Sequence, residues 1–190
     1  MKIAGGEAKG KELASEAIGL FDAAKKAGFG GNKGLELNYQ HQLALAQRAS
    51  GNYEAAVKSF EKILEQNNGL NLQMDAAKTL YMWGIEKKDK GVLTKAMNGQ
   101  TPYRDPKTKK QRKRIWGWKT LVDLIKNNEK LREQFRECLY YKVLCRLRYG
   151  EIANSAKAIE SAKGELNKAI KRYDDLLIGP WKNKFEELLK

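Results

Sequence analysis

Apolar residues in this chain recur at intervals of three and four nearly from end to end. That periodicity constrains the fold more than any other feature, because a segment with an apolar side chain on every helical turn must bury that stripe against another helix. Ala14, Ala17, Ile18, Phe21 and Ala24 make a first stripe, Leu43, Ala44 and Ala46 a second, and Ala56, Phe60, Ile63 and Leu64 a third. Period-two alternation is not sustained anywhere. Composition agrees: Ala (20) and Leu (22) far outnumber Val (4) and Thr (5), the balance of helices rather than strands. With 42% apolar and 32% charged residues in 190, the chain is long enough for one core, which excludes disorder and collagen. No apolar run is long enough to span a membrane, and the first ten residues lack the apolar core of a secretory leader, so a cytoplasmic chain is expected.

Glycine, asparagine and proline divide the stripes. Gly28 to Gly34 is a glycine-rich loop, Ser50-Gly51-Asn52 a tight turn, and Asn67-Asn68-Gly69 the end of the next helix. Helices are expected over Leu72 to Lys87 and Lys90 to Met97, followed by an irregular basic loop at about 98–114 that carries Pro102 and Pro106. Three more helices are expected: one through Trp116, Leu121, Leu124 and Ile125, one from Leu131 to Tyr149, and a long one from Ala153 to Leu177. Gly179-Pro180 stops the last of these and leaves a short helix at Lys182 to Leu189. The whole, 1–190, reads as a single all-α domain.

One unit, Leu37 to Leu70, carries a recognisable pattern. Ala44 is the small residue of its first helix, Gly51-Asn52-Tyr53 its turn, and Ala56 and Phe60 the small residue and aromatic of its second helix. Two antiparallel helices approach closely only where small residues face each other, and the aromatic fills the space beside them. This unit resembles the tetratricopeptide repeat. Echoes occur at Ala17, Phe21 and Ala24, at Trp83, Gly84, Gly91 and Ala96, and at Tyr141, Leu144 and Cys145, the last without a matching second helix. Spacings of 39 and 40 residues exceed the family's 34, and Gln40 and Gln47 stand where its first helix has aromatics. The resemblance implies antiparallel helix pairs stacked into a right-handed superhelical array. Its function would be that of a non-enzymatic scaffold holding a protein or peptide segment on the inner face. On the matching unit that face would present Asn38, His41, Gln42, Leu45 and Arg48. His41 and Leu45 occupy places where chaperone-binding members of the family carry Lys and Asn, so that specialised activity is not implied.

Charge supplies the alternative reading. Of a net +14, half lies between Gln100 and Lys119, where Arg104, Lys107, Lys109, Lys110, Arg112, Lys113 and Arg114 oppose only Asp105. Cations along a loop follow phosphates and an adjacent aromatic such as Trp118 stacks bases, which describes a nucleic-acid-binding module using 104–114. An acidic protein or anionic surface would suit the same loop, and a solvated charge run that only aids solubility is the plain reading. Trp116 and Trp118, two residues apart, cannot share one buried helix face.

Nothing in the sequence assembles an active site, a metal site or a cofactor site. Cys138 and Cys145, seven apart on one expected helix, lie roughly 10 Å apart along its axis, beyond bridging range. They read as buried small apolar residues of a chain in a reducing compartment. His41 is the single histidine. The glycine loop lacks the phosphate-cradling order and follows a helix rather than a strand. Paired acids such as Glu133 and Glu137, Asp174 and Asp175, or Glu186 and Glu187 sit among cations on helix faces and read as ion pairs.

Overall fold

A computed structural model describes residues 4–29, 31–100, 102–104, 111–112 and 114–190, and among these the fold is all-helical apart from one short β-ribbon. The helices are α1 (Ala4–Ala27), α2 (Lys33–Ala49), α3 (Tyr53–Gln66), α4 (Leu70–Glu86), α5 (Lys90–Asn98), α6 (Gly117–Ile125), α7 (Arg132–Ile152), α8 (Ala156–Arg172) and α9 (Trp181–Leu189). The ribbon pairs β1 (Tyr103–Arg104) with β2 (Gln111–Arg112) between α5 and α6.

Three helix hairpins, α2/α3, α4/α5 and α7/α8, turn in the same way. Gly51, Lys88 and Asn154 each adopt a left-handed conformation with φ of 84°, 49° and 49°. The next residue donates its N–H five residues back: Asn52 to Gln47, Asp89 to Gly84 and Ser155 to Gly150, at 2.8–2.9 Å. That same residue caps the second helix, its side-chain oxygen accepting from Ala55, from Gly91 and Val92, and from Ala158. A helix C-terminus and the next N-terminus thus satisfy their orphan backbone groups within three residues, which leaves the two helices no choice but to pack side by side. In α4/α5 and α7/α8 a glycine permits the closest approach: a Cβ on Gly84 would lie 2.8 Å from Leu93, and one on Gly150 2.8 Å from Ile159.

This alignment corrects the repeat read from the sequence. Aligned on the turns, Leu93, not Ala96, is the counterpart of Ala56 in its hairpin, and the Tyr141, Leu144 and Cys145 echo does have a second helix, α8. The long helix expected to reach Leu177 ends instead at Arg172; Tyr173 is extended and a 3-10 turn, Asp174–Leu177, follows. Tyr173 packs edge-on to Phe135 at 4.8 Å, and Asp175 reaches Arg132 and Arg136 of α7, so the tertiary contacts bend the chain where the apolar stripe alone would continue.

One apolar core runs from Ala44 on α2 to Leu188 on α9. Its centre is the group α3–α7, where Phe60, Leu80, Leu93, Trp118, Leu121 and Phe135 are all essentially inaccessible. No helix among the described residues is long and apolar enough to cross a membrane.

Candidate functional site

Three places carry candidate functional residues: the first-helix face, the basic ribbon, and a cleft near α1. On the first-helix face, Asn38 and Gln42 are exposed, one turn apart on α2. The other residues expected there are committed inward. His41 Nε2 lies 2.9 Å from Asp75 Oδ2, and Arg48 Nη1 lies 3.3 Å from both Asp75 Oδ1 and the Asp75 carbonyl, so α2 is tied to α4. Leu45 packs against the core. Further along, Lys78 on α4 pairs with Glu137 on α7 at 3.6 Å, and Tyr81 meets Tyr141 edge-on at 5.4 Å. The first helices of the three hairpins are therefore linked in the order α2, α4, α7. Burial holds the Tyr81 phenol up at about 12, against the opposing influence of Arg148, and it stays a protonated donor at any working pH.

Among its described residues the basic loop contains a short ribbon. Gln100 N–H donates to the Ile115 carbonyl, Tyr103 pairs with Arg112 and Arg104 with Gln111, and these pairings share one antiparallel register. Its base is clamped. Gly99 (φ 87°) and Gly117 (φ 76°) cross so closely that a Cβ on Gly117 would lie 2.1 Å from the Gly99 nitrogen. Gln73, wholly buried, donates to the Arg114 carbonyl at 2.8 Å and to Asn68, and accepts from the Trp116 N–H at 2.9 Å. Of the cations expected to form a site, Arg104 and Arg112 lie on the paired strands; Lys107, Lys109, Lys110 and Lys113 lie outside the described residues. Arg114 is held by Glu65 at 2.9 Å and Glu61 at 3.9 Å on α3. Trp118 is corrected outright. It is fully buried, stacked on Tyr141 at 4.9 Å, and no base can reach it; Trp116 is the less buried of the two, yet it too packs on the core.

The cleft was not anticipated. Lined by α1, Phe29 and Gly31, α2 and α3, it has a volume of about 360 Å³ and opens to solvent. Its walls include Phe29, Tyr39, Leu43, Gln40 and Ser59, with Asp22, Lys25, Glu36 and Lys62 as charged members. The Tyr39 ring sits between Phe29 (4.9 Å) and Phe21 (5.6 Å). Neither the Tyr39 hydroxyl nor Gln40 Oε1 has a hydrogen-bond partner, although both atoms are shielded from water. Burial, with Asp22 adding to it, raises the Tyr39 phenol, so it remains an O–H donor. Gln40 Nε2 meanwhile donates to Glu36 at 3.1 Å, which fixes its amide and leaves the oxygen facing away unpaired. The one signal in the sequence was Gln40 itself, polar where the resembled repeat carries an aromatic.

The remaining groups singled out in the sequence are mostly buried or paired. Cys138 and Cys145 are buried and unbridged, their thiols pushed up by burial and so inert as nucleophiles. Of the paired acids, Glu133 binds Arg136 and accepts from the Trp181 indole at 2.8 Å, Glu137 pairs with Lys78, and Asp175 binds Arg132 and Arg136. Glu165 is pushed up by burial, but Lys142 at 2.6 Å and Arg146 outweigh that and hold it low, tying α7 to α8. Among the described residues no group of three or more His, Cys, Asp or Glu is placed to hold a metal. No family model matches this chain, and comparison with curated proteins and with solved structures returns no match either.

Proposed function

We propose that this chain is a non-enzymatic interaction scaffold, a tetratricopeptide-like stack of helix hairpins with a right-handed superhelical path that holds a segment of a partner protein along its first helices. The observation that carries the reading is the identity of the three hairpin turns together with the side-by-side linkage of α2, α4 and α7. Hairpins of one construction, joined through their first helices, expose an extended face suited to a partner's main chain. On this reading Asn38 and Gln42 contact the partner, whereas His41 and Arg48 hold the stack together through Asp75 and Leu45 supports it from the core side. Photo-crosslinking in cells tests it. A crosslinker at Gln42 should give a discrete adduct with one or a few proteins, which Asn38→Arg removes; a crosslinker at Lys157, exposed on α8, should not. Equal labelling from both positions would refute the scaffold face.

A second reading is favoured by the ribbon. A two-stranded antiparallel ribbon with a clamped base and a strongly basic sequence is a shape that enters a nucleic-acid groove. If it does so, a labelled duplex or single strand should bind with an affinity that falls steeply with salt. Replacing Lys109, Lys110, Arg112 and Lys113 by Gln should then abolish that binding. Salt-independent or absent binding eliminates this reading and leaves the first untouched.

A further inference from the structure

We propose that the cleft between α1, α2 and α3 is a second binding site, one that takes an extended peptide segment through one bulky apolar side chain and the peptide groups beside it. The site is separate from the face carrying Asn38 and Gln42, and the proposal does not depend on that face.

The argument starts from the unpaired atoms. Tyr39 is 9% exposed, and its hydroxyl has no partner; Gln40 Oε1, one residue on, has none either. Buried polar atoms are nearly always paired, because leaving one unpaired forfeits its hydration for nothing, so two adjacent exceptions at a single cleft call for an explanation. Their chemistry is complementary to one common group. A hydroxyl that donates and an amide oxygen that accepts are what a peptide's C=O and N–H require, and the two come from neighbouring residues of one helix. Phe29, Tyr39 and Leu43 offer an apolar surface for a side chain beside that group. The volume of about 360 Å³ lies at the small end of ligand pockets, suited to one large side chain with its flanking main chain rather than to a nucleotide cofactor. Charge argues the same way: Asp22 and Glu36 balance Lys25 and Lys62, so the lining selects no strongly ionic ligand.

Access to the two atoms requires the contact of the Phe29 ring with Tyr39 to be displaced. A Cβ at Gly28 or at Gly31 would meet nothing within 4 Å, so neither glycine is packed against the rest of the protein. Helix α1 rests chiefly on α2 and leaves Leu13 and Leu20 facing solvent. The occupant enters beneath Phe29, exchanges that ring contact for its own, and pairs with the Tyr39 hydroxyl and the Gln40 oxygen.

The test uses the full 15N-labelled chain and three small probes: the N-acetyl N-methylamides of phenylalanine, leucine and glycine. The phenylalanine and leucine compounds should shift the backbone amides of Gly31, Gln40 and Leu43 saturably, and the glycine compound should not. Tyr39→Phe and Gln40→Leu should each weaken phenylalanine-probe binding at least threefold while leaving the thermal midpoint unchanged or raised, since each removes an unpaired polar atom. Three results would overturn the proposal: no saturable shift at these amides, unchanged affinity in both variants, or a midpoint that drops by several degrees in Tyr39→Phe. The last would mean that the hydroxyl is already bonded within the protein, with Asp22 the nearest acceptor by charge, and that the site is closed.

Discussion

The crossing of Gly99 and Gly117 at the base of the ribbon and the outer face of α1 represent opposite extremes of packing in one chain. At the crossing two backbones touch, Gln73 pairs with both the Arg114 carbonyl and the Trp116 N–H, and there is no room for a methyl group. On α1, Leu20 is 74% exposed and Leu13 55%, and the cleft beneath holds two unpaired polar atoms. The difference separates stability from adaptability. Local opening is cheapest where few buried contacts are lost, so the edge that contributes least to the fold is the one that can rearrange around a ligand.

Breaking the crossing should have the largest effect. Gly117→Ala forces a Cβ to within 2.1 Å of the Gly99 nitrogen in a left-handed conformation, and urea unfolding should register a loss of more than about 4 kcal/mol. Gln73→Leu keeps the volume but strands the Arg114 carbonyl and the Trp116 N–H, and the same measurement should show a loss of about 3 kcal/mol. Next comes Asp175, the carboxylate that draws the chain back onto α7. Its hydrogen bond from Arg132, joined by Arg136, lowers its pKa against the opposing effect of burial. A group with a lowered folded pKa contributes stability above its unfolded value, and that contribution disappears as pH falls through the folded one. Asp175→Asn should therefore cost about 2 kcal/mol at neutral pH. Unfolding curves taken across a pH series should show the deficit closing below about pH 4. The smallest effect is expected at the other pole of the comparison: Leu20→Ala on α1 should change stability by no more than about 0.5 kcal/mol. A loss several times larger would mean that this face is covered in solution, and the contrast between the two regions would fail.

Much of the local structure was legible because its causes are local. The turn at Ser50-Gly51-Asn52 acts within a few residues, and the stripe Ala56, Phe60, Ile63 and Leu64 marks its helix by spacing alone, whereas the cap at Ser155 falls inside the helix expected from Ala153. The candidate sites were less legible. His41 and Arg48 look like open groove residues until Asp75, 34 and 27 positions away, is found between them. Trp118 beside a run of cations suggests base stacking, yet Tyr141 of α7 covers its ring. The end of α8 at Arg172 has the same origin, since Asp175 and Tyr173 find partners on α7 that no helical period encodes.

Sequence by itself determined that this chain is helical, where most of its helices break, and that half its net charge is gathered into one short segment, because period, capping and charge are properties of neighbouring residues. Tertiary structure alone decided which side chains stay available. It drew His41, Arg48, Arg114 and Trp118 into the fold, clamped the base of the basic segment, and left the Tyr39 hydroxyl and Gln40 Oε1 unpaired beside a cleft. The physical reason is that burial and hydrogen bonding are settled between residues far apart in the chain, and a polar group is open to a partner only if none of those distant residues reaches it first.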